Sequence, residues 1–171
     1  SIRSRSIIAN RAVQEEKEMV EDFTVAGAVV IYQDGRLIDR KTTTESDIDE
    51  QLFSSMLIAI QGFVKESFRS ESGLDSFEFG GRHVTLVKGQ YVFLAVSLSG
   101  KEPQILRERM RELVEKIEGT YAGVVESWDG DSSRFRDLDL MLTPLFTLRD
   151  ELKVKKAQDE VKVLSSLEFY E

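Results

Sequence analysis

Two runs of the chain, VAGAVVIY at residues 25–32 and YVFLAV at 91–96, are apolar at nearly every position. A strand that rests one face on a core and shows the other to water alternates apolar with polar residues, so an almost unbroken apolar run implies burial on both faces. Val25, Val29, Val30, Ile31 and Tyr32, with Val92, Phe93 and Val96, are β-branched or aromatic and favour extended backbone. Both runs belong inside a sheet, and a sheet with such strands at its centre needs a covering layer on each side.

The segments around these runs give the sheet its order. SIIANRAVQEEKEMVEDF puts Ile8, Ala12, Met19 and Phe23 on one side at helical spacing and predicts an N-terminal helix over residues 1–23. The first apolar run is followed by Gln33-Asp34-Gly35-Arg36, a hairpin signal because Asp-Gly accepts positive φ, and then by a shorter, charged strand suited to an edge. Residues 47–68 read as a long helix with Ser46 or Asp47 as N-cap. LDSFEF, RHVTLVKG and QYVFLAVSLSG form three strands of a meander, with turns at Gly80-Gly81 and Lys88-Gly89-Gln90. EPQILRERMRELVEKIEGTYAGVVESW is amphipathic, with Leu106, Met110, Leu113, Ile117, Tyr121, Val124 and Trp128 along one stripe and Pro103 near its start. Gly119 and Gly123 fall opposite that stripe, so either the helix weakens there or the C-terminal helix packs closely on that side. Past the Asp129-Gly130-Asp131 turn more helix follows, with Thr143 and Pro144 predicting a restart or kink. In VKVLSSLEFYE, the residues Val161, Val163, Leu167 and Phe169 alternate with polar ones as in a half-buried strand.

With the first and fifth strands as central neighbours, the order is 2-1-5-4-3. The expected fold is α/β (α+β), a five-stranded, mainly antiparallel sheet with helices on both faces. The expected organisation is an N-terminal helix at 1–23, a core at 24–128, a helical extension at 129–158, and a strand at 159–171. That strand and the opening on Ser1 suggest a piece of a longer protein, whose next domain begins near residue 160.

The 171 residues are enough for one domain that buries about 70% of the surface of its unfolded chain. Cysteine is absent, which excludes disulfides and thiolate chemistry, and His83 is the single imidazole. The net charge of -8 disfavours nucleic acid or an anionic membrane as principal partner. No apolar run approaches the roughly 20 residues of a membrane-spanning helix, and there is no signal-peptide pattern, so a soluble, cytoplasmic chain is expected.

The candidate chemical motifs have structural explanations. His83 has no second histidine to complete a metal site and reads as a surface or loop-edge residue. WDGDSS fails the EF-hand pattern, since the twelfth position from Asp129 is Leu140, and it reads as a turn with Gly130 left-handed and Asp131 or Ser132 capping. The glycine pairs lack the lysine-serine ending of a phosphate loop. The acids of ESDIDE suit the start of a helix, and those of LRERMREL and RDELKVKK suit solvated helix faces. No catalytic residue, metal site or cofactor is expected.

The helix at 47–68 carries the sharper signal. Its apolar arc, drawn by Ile48, Leu52, Phe53, Met56, Leu57, Ala59, Ile60, Phe63 and Val64, covers about half the circumference. Ser55, Ala59 and Gly62 form a small-residue strip along one flank, and Ile58 stands outside the arc among Gln51, Ser54 and Lys65. Burial within the chain's own fold explains a broad arc. A second expectation is that Ser55, Ile58, Ala59 and Gly62 meet a protein partner or a second copy in a homodimer.

The succession VVIYQDGRLI, long apolar helix, then FEFGGRHVTLVKGQYVFLAVSLSG resembles the longin and roadblock families, which share a profilin-like sheet. The resemblance covers roughly residues 6–128. The helix before the first strand resembles roadblock and the second C-terminal helix resembles longin. SSMLIAIQGFVKESF and WDGD are similar to segments of archaeal multidomain proteins that carry such a module. The resemblance implies a non-enzymatic scaffold or regulatory module that dimerises or engages a small GTPase or signalling partner. The alternative is a PAS-like small-molecule sensor with a pocket beneath the long helix.

Overall fold

The computed structural model describes residues 3–11, 23–43, 50–68 and 75–168. Residues 3–11 are helical (α1) and exposed at every position. The chain then forms β1 (Phe23–Tyr32), β2 (Leu37–Thr42), α2 (Glu50–Ser67), β3 (Ser76–Phe79), β4 (Arg82–Lys88), β5 (Val92–Gly100), α3 (Leu106–Thr120), the short α4 (Ala122–Val125), a 3-10 turn at Ser132–Arg134, α5 (Leu138–Phe146) and α6 (Leu148–Glu168).

The five strands form one antiparallel sheet in the order β2-β1-β5-β4-β3. The two apolar runs are its centre, paired from Phe23 opposite Gly100 to Tyr32 opposite Val92. Their side chains divide between the faces with the period of two that a pleated strand imposes. Val30, Tyr32, Leu94 and Val96 enter one core with α3, α5 and the start of α6; Val29, Ile31, Phe93 and Ala95 enter the other, beneath α2. A register shift between Val25 and Gly27 lets Val25 and Ala28 share the first face although they lie three residues apart. Each fully buried aliphatic side chain contributes about 1.5–3 kcal/mol, so a continuously apolar strand gains only when both faces are covered.

The hairpin expected at Asp34-Gly35 is present, with Gly35 at φ 92° and its N–H donating to Tyr32 O at 2.8 Å. Gly80 and Gly81 take φ of 57° and 75° between β3 and β4. Gly130 is left-handed at φ 96°, and Asp131 caps the following turn by accepting from Ser133 N at 3.0 Å. Ser133 Oγ also donates to this carboxylate at 2.7 Å, and the side-chain hydrogen bond first and the backbone one second hold the Asp131 carboxyl below its usual range.

Five expectations are corrected. Phe23 is the first residue of β1, buried and paired with Gly100, rather than the end of a helix; Ala12 and Met19 lie outside the described residues. The helix read as far as Trp128 breaks at Tyr121, where φ is -111° and ψ 32°. Gly119 and Gly123 flank the break, and a Cβ at either meets none of the described residues within 4 Å, so the helix weakens there without a described residue packed against them. The buried stripe is Leu106, Met110, Val114, Ile117, Tyr121, Val125 and Trp128, with Leu113 and Val124 at its margin. Thr143 and Pro144 lie inside α5, whose N-cap is Asp137 at φ 63°, and the restart falls at Thr147. Pro144 removes one i→i−4 hydrogen bond, and α5 ends two residues later.

The fifth correction is the C-terminal strand. Residues 161–168 continue α6. A strand needs a neighbour to satisfy its backbone, whereas a helix pairs its own N–H and C=O groups. The four lysines, two glutamates and two leucines of 153–168 also favour helix. The alternation of Val161 and Val163 is too short to compete. Phe169 lies outside the described residues.

Candidate functional site

α2 reaches its position through its inward residues. Phe53, Met56, Ile60 and Val64 follow a 3-4-4 spacing that makes one helical stripe, and all are buried on the sheet with Val84, Leu86, Phe93 and Ala95. Phe63 and Phe68 add edge contacts to Phe93, with ring centres 6.0 and 5.6 Å apart. The helix is fastened along its length. Gln61 Nε2 donates to Gly35 O at 2.9 Å, tying it to the β1–β2 turn. Lys88 Nζ lies 4.4 Å from the Phe68 ring centre and donates to Ser67 O at 3.3 Å, satisfying a carbonyl at the helix C-terminus.

The outward side of this fixed element carries Ser55, Ile58, Ala59 and Gly62, all exposed. Ile58 is 69% exposed. The spacing 55, 58, 59, 62 places the four on one face, bordered by exposed Gln51, Lys65 and Glu66. Among the described residues a Cβ at Gly62 would meet nothing within 4 Å, so none of them blocks close approach to the backbone. Ala59 belongs to this face and not to the buried arc, which is narrower than the composition suggests. Ile48, Ser46 and Asp47 lie outside the described residues.

His83 is part of a polar clip rather than a free surface residue. Its Nδ1 lies 2.5 Å from Glu78 Oε1 across the β3–β4 pair, and since a carboxylate only accepts, the imidazole donates. Its Nε2 is buried and 4.0 Å from Glu102 Oε2. Glu102 also accepts from Thr85 Oγ1 and stands 4.0 Å from Arg107 Nη2, and Arg107 donates to Leu86 O at 3.3 Å and Asp75 O at 3.0 Å. Groups from β3, β4, α3 and the β5–α3 connection are thereby joined at the edge where β3 is only four residues long. A lone histidine in sequence gives no sign of these partners, because Glu102 and Arg107 reach it only through the fold.

The sensor alternative placed a pocket beneath α2, but that space is filled by Phe53, Met56, Ile60 and Val64. A cleft of about 580 Å³ lies elsewhere, between the β4–β5 turn and α3, which lines it with Arg107, Arg111, Glu115 and Glu118. Among the described residues no group of His, Asp and Glu side chains has the arrangement of a metal site, and no helix is long and apolar enough to cross a membrane. The chain matches no protein-family model, and no curated protein sequence matches it significantly.

Proposed function

We propose that the chain is a non-enzymatic, cytoplasmic interaction module of longin/roadblock type, whose docking surface is the outer face of α2. The observation that carries this reading is the outward strip of Ser55, Ile58, Ala59 and Gly62 on a helix clamped at its middle and its C-terminal end. A rigid helix with an open glycine backbone, one exposed branched aliphatic and a polar border suits a protein surface, since close backbone approach brings dispersion contacts that a bulky face prevents. The partner is a small GTPase or another signalling protein, with a second copy of the chain as the other occupant.

Gly62→Leu and Ile58→Glu test this reading. Both substitutions sit on the exposed face, so the free chain keeps its fold. Light scattering and titration with small GTPases of the source cell are expected to show binding by wild type and at least a tenfold loss in each variant. A monomer that binds none of them, in wild type and variants alike, overturns the reading. The sensor alternative retains one supporting feature, the cleft beside α3. A thermal-shift screen with nucleotides and metabolites addresses it, because a tight ligand raises the melting temperature by mass action.

A further inference from the structure

The first turns of α6 join the core through Leu148, which is buried, and Leu152, which packs against it. Residues 157–167 are exposed at every position. At about 1.5 Å per residue this is a projecting rod, and α6 as a whole spans about 31 Å.

The exposed length is patterned. Val154, Ala157, Val161 and Leu164 follow the 3-4-3 spacing of a coiled-coil seam, and Val154, Val161 and Leu164 are each about 60% exposed. At 100° per residue this seam lies nearly opposite Leu148 and Leu152 on the helix, so it faces away from the body. Val163 and Leu167, equally exposed, fall on the other side and take no part. Two copies can meet along the seam with their bodies outermost.

The seam also selects its occupant. β-branched residues at the first core position with leucine at the second favour two parallel strands, and here Val154 and Val161 take the first while Ala157 and Leu164 take the second. In a parallel, in-register pair Lys153 falls beside Gln158 of the other helix and Glu160 beside Ser165, so no like charges oppose each other. The chain carries -8 overall, but α6 holds five acidic and five basic residues, so pairing along this helix sets no net charge against a like net charge.

We propose that α6 pairs in parallel with the α6 of a second copy along Val154, Ala157, Val161 and Leu164, giving a dimer that presents two α2 faces. α2 and α6 pack on opposite faces of the sheet, so the pairing leaves both α2 surfaces free. The presentation of α2 rests on the docking role proposed above; the pairing does not. Two joined docking faces raise avidity for a multivalent partner without any new contact. A seam of two heptads is short, so association is expected to be weak and is read at high chain concentration.

The absence of native cysteine makes the test direct. Leu164→Cys puts a thiol in the seam, and Ser166→Cys puts one on the far side of the same helix. Under mild oxidation at about 0.5 mM chain, Leu164→Cys is expected to form covalent dimer at least tenfold faster than Ser166→Cys. Sedimentation across the same range should show wild-type and Ile58→Glu chains associating and Leu164→Glu remaining monomeric, with unchanged circular dichroism. Equal cross-linking rates overturn the proposal, as does a wild-type monomer throughout. Association lost in Ile58→Glu but kept in Leu164→Glu also overturns it, and assigns self-association to α2.

Discussion

The guanidinium of Arg36 lies 4.7 Å from the ring centre of Trp128 and donates from Nη2 to the Trp128 carbonyl at 3.1 Å. These residues are 92 positions apart. Asp34 holds the other side of the guanidinium at 2.7 Å, and Tyr32 meets the indole edge-on at 5.4 Å while its hydroxyl donates to Val125 O at 2.6 Å. The β1–β2 hairpin is thereby fastened to the turn that follows α4. Arg36→Ala is expected to cost about 1–2 kcal/mol, less than a cation–π contact and a charged hydrogen bond added together because the side chain is 44% exposed and solvent screens both. Urea unfolding measures it. Trp128 is the single tryptophan and only 5% exposed, so its emission should also shift to the red in the variant.

Gly89 is required by proximity. A Cβ there would overlap Glu118 Oε1 and stand 2.5 Å from Val114 Cγ1. The Glu118 carboxylate accepts from the backbone N–H groups of Gln90 at 3.1 Å and Tyr91 at 3.3 Å, so it closes the β4–β5 turn onto α3. Gly89→Ala is expected to destabilise by about 1–3 kcal/mol. The double substitution Gly89→Ala with Glu118→Ala should cost less than the two single costs added, because one of the overlaps is removed. A four-variant thermal cycle reads the difference.

Gly119 and Gly123 invite the opposite outcome. Neither has positive φ, and among the described residues neither has a neighbour where a Cβ would stand. Alanine at Gly119, inside α3, should stabilise by about 0.5–1 kcal/mol through the lower entropy of the unfolded chain. At Gly123 the gain is smaller, because α4 is a single turn. Melting temperatures check both.

Tyr121 supplies an alkaline dependence. Burial, followed by the charges of Asp137, Asp139 and Asp39, raises its pKa above the ordinary tyrosine value, and its hydroxyl donates to the Arg136 carbonyl. A raised folded pKa means that the folded state holds the proton more tightly. The resulting stability is fully present below the unfolded value of about 10 and is lost as pH rises through the folded one. Wild type should lose stability more steeply than Tyr121→Phe above pH 10, as followed by chemical denaturation at stepped pH.

The centre of the fold was legible because its cause is local. Unbroken apolar runs at 25–32 and 91–96 admit few places other than the interior of a sheet, and the Asp34-Gly35 and Gly80-Gly81 turns set strand succession by backbone chemistry alone. The exposure of Ser55, Ile58 and Gly62 could be expected from helical periodicity, although Ala59 had to be moved from the buried arc to the outer face.

What sequence left open depends on groups brought together across distance. Whether Gly119 and Gly123 lie in a packed contact or beside a break is decided by what reaches them, and no described residue does within 4 Å of a Cβ. The state of 161–168 depends on whether a strand edge is available, since two valines one residue apart fit either secondary structure. Arg36 finds Trp128, His83 finds Glu102, and Glu118 finds the Gly89 turn only after the sheet and α3 have assembled. Periodicity reports which side of an element is apolar; the partner of a polar side chain is set by three-dimensional distance, which one-dimensional spacing does not encode.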